Sequence, residues 1–319
     1  FFFHAEDGKR DAQESRGLGD VYKRHPEMSE FISKDNEIEI LAEGFEWSEG
    51  PVWVNELNAI LFSDVPSNKI YQWYDSSGLK VFIEPSGYTG VVPNNTKKGS
   101  NGLVINKEGQ LVLCMVGDRR VSKLSDFFEK KFIPIVDNFK GNLFNSPNDL
   151  VYAENGDLFF TDPPGGLLKK DDDELKELPF NGVFKLTKSG VLSLLIKNLT
   201  RPNGIGISKD QKTLYVSNSD PNNPIIMSYE IVPAGVKKPK VFFDGKELSK
   251  KYKGNFDGLK VHPCGAIFST GPGGVLIISE NGEHLGTIKT NERTSNCNFD
   301  NDFNYLYMTT NMYLTRVKL

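Results

Sequence analysis

Six polar residues recur at equivalent places along the chain: Glu49, Asn101, Asn148, Asn203, Asp257 and Asn296. Each opens a short apolar run, as in "NDLVYAENGDLFFTD" from Asn148 and "NGIGISKDQKTLYVSN" from Asn203. Two of the six are carboxylic acids and four are amides, and none is Lys, Arg or His. Brought together, such oxygen donors are ligands for a hard cation. Two carboxylates about 4–6 Å apart, at an effective dielectric near 20, repel by roughly 3–4 kcal/mol, so a proton or a cation must lie between them. Carboxylate and amide oxygens suit Ca²⁺, which takes about 6–8 oxygen ligands, with Mg²⁺ or Mn²⁺ as alternatives and zinc a poor match.

What positions these heads is legible in the surrounding pattern. The phrases "EGPVWVNELNAILFSD", "NGLVINKEGQLVLC", "NDLVYAENGDLFFTD", "NGIGISKDQKTLYVSN", "DGLKVHPCGAIFST" and "NCNFDNDFNYLYMTT" share one grammar: a polar head, a strand, a polar turn and a second strand. Two further β-like runs follow most copies, for example "GVFKLT" and "VLSLLI" split by Lys188-Ser189-Gly190. Runs of β-branched and aromatic residues bounded by Gly, Asn, Asp and Ser read as antiparallel hairpins. Four strands per unit, with heads roughly 40–55 residues apart, predict an all-β six-bladed β-propeller. The last unit has only three strands, ending in "YLTRVKL", while a spare strand, "IEILAE" (38–43), precedes the first head. Exposed sheet edges are a liability, so the N-terminal strand is expected to complete the sixth blade and close the ring. Residues 38–319 then form one propeller domain behind an extension, 1–37, whose charged first thirty or so residues have no usable period and are expected to be loosely draped in part. No amphipathic helix of useful length is predicted; "LSDFFEKKF" is the best short candidate.

In a propeller the first strand of each blade lines a central channel, which places the six heads in a ring at one mouth. The strand-end residues Asp64, Asp162 and Asn218 also recur and are expected to hydrogen-bond their own turns. The remaining features narrow the chemistry. A net charge of −4 argues against a nucleic-acid partner. No apolar run reaches the ~18 residues of a membrane span. Three cysteines (Cys114, Cys264, Cys297) do not make a disulfide scaffold, and none has an evident His partner in sequence, so a thiol nucleophile is not expected. The glycines of "GPGG" (271–274) read as a tight turn, and "KKDDDELKE" (169–177) as a solvated loop.

The motifs "EGPVW", "SPNDLVY", "LFFTDPP", "RPNGIGIS", "TLYVSNSDP", "GPGGVL" and "TSNCNFD" together resemble the gluconolactonase branch of the regucalcin-like (senescence marker protein) family, from about residue 25 to the end. The resemblance implies a six-bladed propeller with one catalytic divalent metal in the channel and lactone hydrolysis as the activity, with a small-molecule lactone as the partner. It selects four heads as metal ligands, Glu49, Asn148, Asn203 and Asp257. Asn101 and Asn296 become substrate-side groups, and "GDRRV" offers Arg119 or Arg120 near the substrate. Within the implied mechanism Asp257 is the candidate general base, or else orients the attacking water, while Glu49 balances charge. Two further functions fit the same architecture: hydrolysis of phosphotriesters or other esters, and a calcium-holding binding platform without chemistry. The chain departs from the family pattern at Gly165-Gly166, where relatives carry an aromatic, at Val116, where a polar residue is common, and at Phe256, where Pro commonly precedes the Asp.

Overall fold

A period of two, read along each strand, decides which side chains meet. In Ala59–Asp64, Ile60 and Phe62 face one way and Leu61 the other, and all three are fully buried. Both faces are covered because each four-stranded sheet packs between two neighbours. The structure, a computed structural model, describes residues 21–23, 28, 31–33 and 36–319, and among these it contains six such sheets in a ring. Each is an antiparallel meander running outward from the axis. Blade 1 spans Ser48–Ile83, blade 2 Ser100–Val136, blade 3 Leu150–Ile196, blade 4 Pro202–Asp244, blade 5 Leu259–Lys289, and blade 6 begins at Thr294–Phe299.

The core is distributed between blades. Leu61 joins Val52, Val54 and Ile70 against Leu103, Leu111 and Leu113 of blade 2. Ile60 and Phe62 instead meet Tyr307 and Leu314 of blade 6. Four further apolar clusters fill the remaining junctions, so the six clusters match the six blade interfaces.

The predicted closure is present. Glu39–Glu43 pairs antiparallel with Tyr313–Lys318 as the outer strand of blade 6, with Glu39 opposite Arg316 and Glu43 opposite Tyr313. The expectations for residues 1–30 fall outside the described residues apart from Val21–Lys23 and Met28. Val21–Lys23 adds a fifth, outer strand to blade 5 by pairing with His284–Lys289. Met28, Ile32 and Ile38 are buried in the cluster between blades 5 and 6.

Helix is scarce, as expected: one four-residue turn, Lys246–Ser249, and two short 3-10 segments, Pro164–Gly166 and Lys170–Asp172, occur over residues 36–319. The "LSDFFEKKF" stretch is a turn, in which Asp126 accepts the backbone N–H groups of Phe128 and Glu129. The "KKDDDELKE" run is more than a solvated loop. Asp173 accepts from the N–H groups of Lys169 and Leu175, Asp171 pairs with Arg201, and Glu177 with Arg119.

Candidate active site

The heads sit where inner strands begin, and the residue after each head decides how closely neighbouring blades approach. Gly102 donates its N–H to the carbonyl of Asn148 at 2.7 Å, and Gly204 donates to that of Asp257 at 3.1 Å. A Cβ on Gly204 would lie 2.3 Å from the Asp257 carbonyl oxygen, and one on Gly50 the same distance from that of Asn101. Only glycine lets one blade's head backbone press against the next at these points.

Hydroxyls complete this belt. Ser63 donates to the carbonyl of Asn101 at 2.8 Å, Thr161 to Asn203 at 2.7 Å and Ser217 to Asp257 at 2.6 Å. Thus the second strand of one blade fixes the head of the next. The recurrent strand-end residues serve the same region, and of the three Asn218 also bonds its own turn as expected, donating to the Asn223 carbonyl at 2.9 Å. Asp64 accepts from the N–H groups of Glu46 and Trp47, Asp162 from Asn145 and Ser146, and Asn218 from Arg201, in each case the chain entering the first strand of the same blade.

The side chains of the ring are largely withdrawn from water. Exposure is 2% for Glu49, 7% for Asn101, 9% for Asn203 and 1% for Asn296, while Asn148 and Asp257 are half-buried. Buried acceptor oxygens on Asn101 (Oδ1), Asn203 (Oδ1) and Asp257 (Oδ1) have no donor. Buried acceptors are rarely left this way, and a cation satisfies them where another acceptor would not. Burial, then the charges of Glu49 and Asp149, hold the Asp257 carboxyl well above the usual range, against a hydrogen bond from Asn203. Burial, then the charge of Asp149, pushes Glu49 up to about 7, opposed by the N–H of Gly50 and by Asn296 and Trp47. Negative charge is therefore costly here until something positive enters, and the donor set suits a hard divalent ion. Among the described residues no three His, Cys, Asp or Glu side chains converge tightly enough to hold an ion by themselves, so an ion here draws on the amide oxygens as well.

Sequence reasoning missed Asp149, Lys260 and Trp47. Asp149 is 1% exposed and pairs with Lys260 Nζ at 3.4 Å. A signal for Asp149 was visible, since the third repeat reads Asn-Asp where the second and fourth read Asn-Gly. Arg119 does not join the ring. It is 1% exposed, its Nε donates to the Phe144 carbonyl at 2.5 Å and its Nη1 pairs with Glu177 at 3.4 Å, leaving Nη2 buried without a partner. Arg120 pairs with Asp118 at 3.0 Å.

The cysteines are also placed. Cys114 and Cys297 are fully buried, and burial raises both thiols. Cys264 does have a histidine neighbour: its Sγ lies 2.9 Å from His262 Nδ1. The pair lies in the turn after the first strand of blade 5, at the end opposite the heads. Two of the family departures touch one another, because a Cβ on Gly166 would fall 2.4 Å from Val116 Cγ1 and 2.5 Å from Ser146 Cβ. Phe256 is fully buried in the cluster between blades 4 and 5.

Comparison with known proteins agrees with this architecture. The chain is 35% identical to a gluconolactonase of Zymomonas mobilis over 310 residues, 94% of this chain and 86% of that protein. A gluconolactonase structure from Xanthomonas campestris superposes with a TM-score of 0.82 at 24% identity, covering 94% of this chain and 95% of that one. The structure of regucalcin, a calcium-binding protein of Agrobacterium tumefaciens, superposes at 0.68 with 16% identity, over 88% and 94% of the two chains. Residues 47–312 match the model of the SMP-30/Gluconolactonase/LRE-like region, and the chain belongs to that family.

Proposed function

We propose that this chain is a divalent-metal-dependent hydrolase that opens sugar lactones of the gluconolactone type, with residues 38–319 as its catalytic propeller. The observation that carries the reading is the ring of withdrawn head oxygens, three of them without donors, with two carboxylates that burial and neighbouring negative charge destabilise. The similarity to a gluconolactonase over nearly the whole chain supports the same substrate class.

Glu49, Asn148, Asn203 and Asp257 would hold the cation, with Ca²⁺ the best match to carboxylate and amide oxygens. When bound, such an ion supplies a Lewis acid that polarises a lactone carbonyl and favours negative charge on its oxygen. The residues contribute the rest. The Asn203 amide lies beside Asp257 and favours its ionised form. The unpartnered Oδ1 of Asp257 is then free to orient a water and take its proton as that water attacks the carbonyl carbon. Asn296 favours the ionised form of Glu49 in the same way. Asn101 offers a buried, donor-free oxygen to a sugar hydroxyl. Substrate contact through Arg119 would require its pair with Glu177 to open.

A panel of sugar lactones and organophosphate triesters, assayed with and without chelator, tests the reading. Lactones are expected to be opened preferentially, activity to vanish with chelator and return with Ca²⁺, and Asp257→Asn to lower kcat by at least about a hundredfold. Activity that survives both chelation and Asp257→Asn would exclude the mechanism. Preference for the triesters would reassign the substrate, and cation binding without turnover of any ester would leave a binding platform.

A further inference from the structure

Behind the ring, one step further along the axis, lies a second tier of charge. Asp149 stands at the position that is glycine after the heads of blades 1, 2, 4 and 5, and its carboxylate takes the space that Gly102 of blade 2 leaves open, where a Cβ would fall 2.8 Å from Asp149 Oδ1. Its Oδ2 lies 3.4 Å from Lys260 Nζ and 3.4 Å from Asn296 Nδ2. Lys260 Nζ also donates to Asn296 Oδ1 at 3.2 Å and to the Leu259 carbonyl at 3.1 Å. Asn296 therefore belongs to both tiers, being a head of the ring whose amide also meets Asp149 and Lys260. The aliphatic stem of Lys260 lines a cavity of about 760 Å³ at the opposite mouth, among Val52, Val104, Ile205 and Phe299, and the ammonium reaches from there to Asp149.

Glu49, Asp149 and Asp257 contribute three carboxylates to the channel, each within electrostatic reach of another. Among the described residues Lys260 is the one cation that pairs with any of them. With all three ionised, as a bound cation would favour, three negative charges against one positive leave two, the charge that a single divalent ion neutralises. A channel without Lys260 would be left with three, and one without Asp149 with one.

We infer that Lys260, anchored by Asp149 and Asn296, is a built-in counter-charge that matches the channel to one divalent cation. It is a positioning residue that touches neither ion nor substrate, and the inference rests on the metal-dependent reading proposed above. Removing either member of the pair should move ion affinity in opposite directions, and removing both should restore it. A purely structural role would weaken binding in all three cases.

The test is calorimetric titration of chelator-treated full-length protein with CaCl₂, MgCl₂ and MnCl₂, and terbium luminescence with TbCl₃, alongside melting curves in chelator. Methionine replaces the lysine stem in length and flexibility, and Lys260→Gln serves if that variant does not fold. Lys260→Met is expected to bind the divalent ions at least about tenfold more tightly and to favour terbium further, and Asp149→Asn to bind them at least about tenfold more weakly. The double variant should return to within about threefold of wild type. If wild type binds a divalent ion but Lys260→Met weakens binding, or the double variant is no better than Asp149→Asn, the counter-charge is overturned and the metal site stands. If wild type binds no divalent ion, both fall together.

Discussion

At the scale of single residues, the polar residues at strand ends show how far local reading reaches. Asp64, Asp162 and Asn218 were recognisable as a recurring set, and Asn218 does bond its own turn at Asn223, yet all three also accept from residues 16–18 positions away, on the chain that enters the first strand. That partnership exists only because the second strand of a blade ends beside the start of the first, a consequence of topology rather than of turn chemistry. Asp162 also yields a prediction. Burial dominates and lifts its carboxyl from 3.8 to about 7, against two backbone N–H bonds and the charge of Arg119. A carboxyl raised in the folded state binds a proton there that the unfolded chain releases, so between those two values stability must fall as pH rises. The contribution is most favourable below about pH 4 and is lost by about pH 7. Urea unfolding across that window should show Asp162→Asn with a flatter pH slope than wild type. The variant should also be less stable at low pH by about 1–3 kcal/mol, because an amide cannot accept both N–H groups. Equal slopes for the two proteins would place the titration elsewhere.

At the scale of elements, the repeat grammar was enough to find six blades, their strand order and the closing strand. Each of these follows from a local period of two and from turn residues that recur. What it could not supply was the exceptions. Aligning six copies draws attention to what they share, while Asp149 matters because it differs, and its partner Lys260 is 111 residues away. The glycines after the heads belong to this scale, because each is read in one blade and needed by the next. Gly204→Ala would place a methyl group 2.3 Å from the Asp257 carbonyl, against backbone that cannot step aside. We expect it to cost roughly 1–3 kcal/mol in urea unfolding and to weaken divalent-ion binding by shifting the Asp257 head. Ser217→Ala, which removes only the 2.6 Å hydroxyl bond to the same carbonyl, should cost about 1 kcal/mol and is the milder control. If Gly204→Ala binds the ion as wild type does, the backbone contact does not set the position of the head.

At the scale of the whole molecule, a ring of blades holds only while it is closed, and closure depends on one residue more than on its neighbours. Arg316, in the last strand, reaches Glu39 of the N-terminal strand at 3.0 Å and Asp75 of blade 1 at 2.8 Å. Its guanidinium also stands 4.6 Å from the ring centre of Tyr305 and 5.4 Å from that of Trp73. It thus ties together the two ends of the chain and the blade on either side of the seam. Both carboxylates are well exposed, so neither ion pair alone is worth much. The stacked guanidinium, only 14% exposed, adds apolar burial that an exposed ion pair lacks. Arg316→Ala should therefore destabilise the fold by about 1–2 kcal/mol, with little of the loss recovered in high salt. Arg316→Lys should recover less than half of it, because an ammonium can neither stack on two rings nor fork between two carboxylates. Because Arg316 stands on the third strand of blade 6, two strands out from the one that carries Asn296, ion affinity below the melting range should be unchanged in both variants. If salt abolished the difference between Arg316→Ala and wild type, exposed charge alone would hold the seam, and the aromatic stack would contribute nothing to closure.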